Sequence, residues 1–224
     1  MNRLINEAVE LLDGQGFEYA ICGGMAIDLF LGYESRRHGD LDILAFWNDR
    51  ISIILYMQSV GYQVYEMLGG GLAHQITDIN NQKYKKNNIF CTSPDCELVG
   101  ITPTNEQDIY IIDFFPIGQT KLNFIELLFN HKDENYILYA RNKEIKREID
   151  KAILVKDGIS FLSPELLLLY KSTDTEREGY QHDFELAISK MDHEQKEWFN
   201  KALKYMNPNG HKWLLSKITS QNGA

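Results

Sequence analysis

Apolar positions recur with two periods along this chain, and each change of period marks an element. Leu4, Ile5, Ala8, Leu11 and Leu12 fall on one helical face over residues 2–13, closed by Gly14 and Gly16. Tyr19 to Cys22 is a short apolar run of the kind that makes a buried strand. Gly23 and Gly24 end it, and MAIDLFL then runs without a breaker to Gly32, so strand, tight turn and helix follow in order. Asp40 to Phe46 alternates and then turns wholly apolar, which predicts a strand with Leu41 and Ile43 in the core and Asp40 and Asp42 together on the other face.

Further along, Arg50 to Val60 predicts a helix and Tyr62 to Met67 a strand. Gly69-Gly70-Gly71 predicts a hairpin turn, because no helical pattern follows it, and Leu72 to Ile79 a returning strand. Residues 80–107, rich in Asn, Lys, Thr and Pro, read as a long excursion. Asp108 to Ile117 and Lys121 to Phe129 are two strand patterns that Gly118-Gln119-Thr120 would join as a hairpin. Tyr136 to Ala140 and Ala152 to Val155 complete the strands, and Asp157-Gly158 makes a turn.

Beyond that turn the period becomes helical. Ser163, Pro164 and Glu165 suit an N-cap, a first helical position and a first turn. Leu166 to Tyr170 is apolar all round, as a buried helix is, and Lys171 at its end should reach out into a cleft. Helices are expected at His182 to Met191, Glu194 to Met206 and His211 to Ile218, the last two separated by Asn207-Pro208-Asn209-Gly210. The expected architecture is α+β: a mixed sheet with flanking helices over residues 1–156, then a helical subdomain over residues 157–224.

Composition narrows the partners. With 224 residues, 44% hydrophobic and 25% charged, the chain can bury a substantial core. No run approaches the ~18 apolar residues of a membrane span, and the acids inside the N-terminal apolar pattern are unlike a signal peptide, so no membrane partner and a cytoplasmic location are expected. Cys22, Cys91 and Cys96 are an odd set that fits reduced thiols, and Cys91-x4-Cys96 without a second pair is a poor zinc signal. The net charge of −9 argues against DNA or RNA and favours a cationic small molecule in an acidic cleft. The basic clusters around Lys83, Lys85 and Lys86 and from Lys143 to Lys151 carry interleaved acids or asparagines and read as solvated faces.

Two features carry chemistry. Glycines at a strand-to-helix turn let a ligand approach the backbone where the helix N-terminus favours negative charge, so Gly23 and Gly24 suit a phosphate; the same pair could also serve the turn alone. Same-face carboxylates at Asp40 and Asp42 stand about 6.6 Å apart along a strand and can converge on one divalent cation. Otherwise they would pair with Arg36, Arg37 or His38. Asp113 in YIIDFF and Glu126 in NFIELLF are each an acid amid apolar residues, which is costly without a partner.

Taken together, Gly23-Gly24, a helix, and Arg36-x-His38-x-Asp40-x-Asp42 resemble the nucleotidyltransferase superfamily shared with DNA polymerase beta. GGMAIDLFLG followed by RRHGDLDI is most similar to the small bacterial antibiotic nucleotidyltransferases, the aminoglycoside 2''-adenylyltransferase-like and lincosamide-type enzymes. Residues 17–47 carry the strongest match, and Gly158 to Trp198 resembles the C-terminal part of the same proteins. The resemblance implies two Mg2+ ions held by Asp40, Asp42 and a third carboxylate, which also serves as general base; Glu126 is the first choice and Asp113 the second. It further implies ATP or another nucleoside triphosphate cradled by Gly23, Gly24, Arg36 and Lys171, with His38 on phosphate or ordering the loop. The acceptor would be a small hydroxylated molecule, with cationic ones such as an aminoglycoside-like antibiotic among the candidates. Gly39 and the Gln181-His182-Asp183 stretch depart from the family pattern and put nucleotide preference in question. Modification of a protein or tRNA, or silent nucleotide binding, are the alternative functions.

Overall fold

The computed structural model describes residues 2–81, 84–115 and 117–215. Helix α1 (Arg3–Leu12) is capped by Asn2, whose side chain accepts from the Leu4 N–H, and buries Leu4, Ile5, Ala8 and Leu12. Strand β1 (Tyr19–Cys22) leads through Gly23 into α2 (Gly23–Leu31), and the chain returns as β2 (Asp42–Phe46). Helix α3 (Arg50–Ser59) precedes β3 (Gln63–Gly69) and β4 (Leu72–Gln75), an antiparallel hairpin turned by the glycines as expected. Then come β5 (Asn88–Thr92), β6 (Val99–Pro103), β7 (Ile109–Phe114) and β8 (Phe124–Lys132). Two short strands, β9 (Tyr136–Leu138) and β10 (Lys146–Glu148), precede α4 (Ile149–Ala152) and the hairpin of β11 (Ile153–Lys156) with β12 (Ile159–Leu162). Helices α5 (Pro164–Lys171), α6 (Tyr180–Lys190) and α7 (His193–Met206) follow.

The sheet runs β11-β12-β1-β2-β8-β5-β3-β4-β7-β6 and is mixed: β2 pairs antiparallel with β1 and parallel with β8. The main core packs α1, α2, α3, α5 and α7 residues on its middle strands, with Ile27, Ile43, Ile54, Leu127, Leu168 and Phe199 all buried. A second core, including Tyr65, Phe90, Ile112 and Phe124, lies under the β6–β7 end.

Five expectations are corrected here. The excursion at 80–107 contains β5 and β6, because five-residue strands flanked by Asn, Lys, Thr and Pro leave little periodic signal. The hairpin of the 108–117 and 121–129 segments does not form. The Gln119 side chain binds the Asn123 and Phe124 N–H groups and the Phe124 carbonyl, which redirects the chain, and β8 inserts between β2 and β5 while β7 pairs with β4 and β6. That placement matches composition, since FIELLF suits a strand covered on both faces and β7 leaves Ile111 and Asp113 exposed. Strand β12 lies beyond the expected boundary at Lys156 and pairs parallel with β1, so the helical part begins at Pro164.

The fourth correction concerns charge. Within the basic stretch read as solvated, Arg147 is fully buried and binds Glu165 and Glu194 at 2.6–2.9 Å. Of the helix expected over His211 to Ile218, residues 211–215 are not helical and the rest lies outside the described residues, as does Lys83. Among the described residues no helix is long and apolar enough to cross a membrane.

Candidate active site

The site forms where β1, β2 and β8 lie side by side. In β1–β2 register Cys22 stands opposite Asp42, and Gly23 follows with φ +65°. A Cβ at Gly23 would overlap the Asp42 carboxylate, and one at Gly24 would overlap the His38 ring and come within 2.8 Å of the Arg36 guanidinium. Both glycines therefore make room for the charged groups beside them. Helix α2 starts there without a side-chain cap.

Asp40 lies two residues before β2 begins, yet the pairing continues past the strand end, as the Leu41 carbonyl accepts from the Glu126 N–H at 3.1 Å. Leu41 and Ile43 are fully buried, which turns Asp40 and Asp42 to the other side. Glu126 stands directly opposite Asp42 on the parallel neighbour β8. As a result, carboxylate oxygens of Asp40, Asp42 and Glu126 lie within 4.8 Å of one another.

Burial and then the charges of Glu126 and Asp40 push Asp42 well above the usual carboxylate range, and burial and Asp40 push Glu126 up as well. The ion-pair alternative fails on partners: Arg36 forks onto Asp183 at 3.0 and 3.1 Å, and His38 binds Asp28 at 2.7 Å. Among the described residues no ion pair joins Arg37 to the acids. Among the described residues no protein cation forms an ion pair with the three carboxylates, though Lys171 and Arg177 pull Asp42 and Glu126 down from further off, and an all-oxygen donor set of this charge fits a hard divalent ion.

Opposite them stands a basic wall. Lys171, at the end of α5, is buried, binds Asp183 at 2.9 Å and lies 4.1 Å over the Tyr180 ring. Asp183 on α6 is fully buried; burial works against its charge, but Arg36 and Lys171 hold it below the ordinary range. Gly23, Gly24, Arg36, His38, Asp40, Asp42, Glu126 and Lys171 all line one cavity of about 520 Å3, closed on the C-terminal side by Arg177 and Tyr180. Such a wall, with backbone amides at a helix start, can neutralise an oxyanion across from a bound cation.

Asp113, the second candidate for the third carboxylate, is not brought to this site. It sits exposed on β7 opposite Gly100, with β8, β5, β3 and β4 between its strand and β2. Asp183 and Asp28 are the residues that sequence reasoning missed. Asp28 receives the Ser35 N–H and hydroxyl as well as His38, so it fixes the loop that carries Arg36. For Asp28 the available signal is an acid inside an otherwise apolar helix, MAIDLFL; for Asp183, among the polar residues of α6, the sequence offers none.

The family model for aminoglycoside-2''-adenylyltransferase matches residues 4–68. No curated protein matches the sequence. Among solved structures, ANT(2'')-Ia in complex with adenylyl-2''-tobramycin is similar at 14% identity and a TM-score of 0.51, covering 91% of this chain and 96% of that one. The lincosamide antibiotic adenylyltransferase LnuA, lincomycin-bound, is similar at 13% identity and a TM-score of 0.53, covering 85% and 98%. The chain has the nucleotidyltransferase fold over most of its length, and its residues 4–68 carry the likeness to the aminoglycoside-2''-adenylyltransferase family.

Proposed function

We propose that this protein is a nucleotidyltransferase that moves a nucleoside monophosphate, AMP from ATP, onto a hydroxyl of a small molecule. The observation that carries the reading is the convergence of Asp40, Asp42 and Glu126 across the cavity from Arg36 and Lys171. The likeness to two antibiotic adenylyltransferases supports it.

In this reading Asp40, Asp42 and Glu126 hold Mg2+. When bound, Mg2+ supplies Lewis-acid stabilisation of the attacking and leaving oxygens of an in-line displacement. Arg36 and Lys171, fixed by Asp183, neutralise the triphosphate, and Gly23 and Gly24 let it approach the backbone. His38, tied to Asp28, orders the loop between α2 and β2. The acceptor oxygen forms a bond to the α-phosphorus, the bond to the bridging oxygen breaks, and pyrophosphate leaves. Glu126 takes the hydroxyl proton.

Incubation with labelled ATP, Mg2+ and a panel of aminoglycosides, lincosamides and simple hydroxylated compounds tests this. Pyrophosphate release with a product heavier by the nucleotidyl group is expected. Absence of both with every acceptor and every nucleoside triphosphate would remove the reading.

A further inference from the structure

The large cavity leaves one face of the site unused. Phe114, Phe115 and Ile117 are 50%, 48% and 45% exposed. With Leu98 they wall a second, shallower groove of about 340 Å3 that ends on Gly39 and Asp40 and carries Arg37. Asp40 belongs to both cavities, so the groove opens onto the carboxylates.

This wall is anchored. The Phe115 N–H donates to the Leu98 carbonyl at 2.9 Å, the Ile117 N–H to the Phe115 carbonyl at 2.8 Å, and the Gln119 N–H to the Gly39 carbonyl at 3.3 Å. The last bond ties the segment to the residue before Asp40. Phe114 stands edge-on to Phe90 at 5.4 Å and Phe124 at 5.6 Å, so its exposed half is held by the second core. A supported apolar surface at the mouth of a charged site is a surface for a ligand.

Charge then selects the ligand. Arg36 is committed to Asp183, but no ion pair involves Arg37 among the described residues, and its guanidinium lies along Gly118, where a Cβ would come within 3.4 Å. Asp40 is the one acid among the groove's lining residues. An in-line displacement needs the acceptor oxygen on the side of phosphorus away from the leaving pyrophosphate, and a groove meeting the phosphate cavity at Asp40 offers that approach.

We propose that this groove is the acceptor subsite and that the acceptor is a hydroxylated molecule with a planar apolar ring and a carboxylate. The ring lies on Phe115 and Ile117, the carboxylate binds Arg37, and the hydroxyl reaches the carboxylates at Asp40. A polycation finds one acid and a repelling arginine there, so the local surface reverses what the net charge of −9 suggests. The inference rests on the nucleotidyl-transfer reading for the role of the site.

Titration calorimetry with 4-hydroxyphenylacetate as probe and tobramycin as contrast, in Mg2+ and a non-hydrolysable ATP analogue, tests it. The probe should bind and tobramycin should bind more weakly. Phe115→Ala and Arg37→Glu should each weaken the probe by about tenfold, with analogue affinity within about twofold of the parent. Undetected probe binding, stronger tobramycin binding, or equal probe affinity in both variants would overturn the proposal. Failure of the transfer reading shows separately, as no pyrophosphate from Mg-ATP with any acceptor, whatever the probe does.

Discussion

Two clusters of buried charge in this molecule are built in opposite ways. At Arg147 one guanidinium, 1% exposed, is met by Glu165 and Glu194, which occupy its donors with short bonds. At Asp40, Asp42 and Glu126 three carboxylates converge, and the nearby cations Arg36 and Lys171 are turned to Asp183. The first cluster pairs its cation within the chain and joins β10 to α5 and α7. In the second, among the described residues, no protein cation forms an ion pair with the acids, so their burial and mutual repulsion cost stability and mark the place to look for chemistry.

Removing the central cation from the first cluster should have the largest effect. Burial already pushes Glu165 upward even with Arg147 beside it, so Arg147→Met strands a buried acid. The expected loss is about 3–5 kcal/mol, seen as a fall in Tm of about 6–20 °C. Adding Glu165→Met should recover most of it, since an apolar replacement of both partners removes the desolvation cost. A single variant as stable as the parent would break the contrast.

Next, Glu126→Gln should lower kcat by about 10²-fold or more, about 2.7 kcal/mol, while Mg-ATP binding survives. Asp113→Asn should leave turnover near the parent value, given its exposed position on β7. A dead Asp113→Asn enzyme beside a normal Glu126→Gln enzyme would reverse the assignment of the base.

Asp183→Asn should cost about tenfold in kcat/KM, carried mainly by KM for ATP, because Arg36 and Lys171 lose the carboxylate that aims them. An unchanged KM would show that these two side chains hold their positions without it.

The smallest effect sharpens the comparison through pH. Because the folded pKa of Asp42 is raised, the folded chain keeps a proton that the unfolded chain has lost between the ordinary carboxylate pKa and the raised value. Stability without metal therefore falls as pH rises through that window. Asp42→Asn should raise the metal-free Tm by about 2–4 °C while abolishing turnover. Mg2+ should raise the parent's Tm more at about pH 8 than at about pH 5.5, since it competes with the proton. Thermal melts with and without Mg2+ at both pH values check this, and an equal shift at both would count against a metal at the three acids.

Much of the site was readable in the chain. Period two around Leu41 and Ile43 turns Asp40 and Asp42 to one side whatever the rest of the protein does, because that alternation is a property of the strand itself. The glycine pair likewise announces a turn, though its main duty, clearing space for Asp42, His38 and Arg36, depends on residues 12 to 19 positions away.

The sequence by itself determined the local elements: the strand, turn and helix around Gly23, the Asp-x-Asp strand, and the buried helix at Pro164 to Lys171, although Ser163 before it makes no side-chain cap bond. Only the tertiary structure decided which third acid joins Asp40 and Asp42. Asp113 and Glu126 have similar neighbours in sequence, and their difference is that β8 inserts beside β2 while β7 goes to the far end of the sheet. It also decided that Arg147 is buried while other basic residues of its stretch are exposed, and that Asp183 pairs with both Arg36 and Lys171. Strand pairing and charge pairing join residues up to 147 positions apart, and periodicity, which is set by each residue's nearest neighbours, carries no record of such partners.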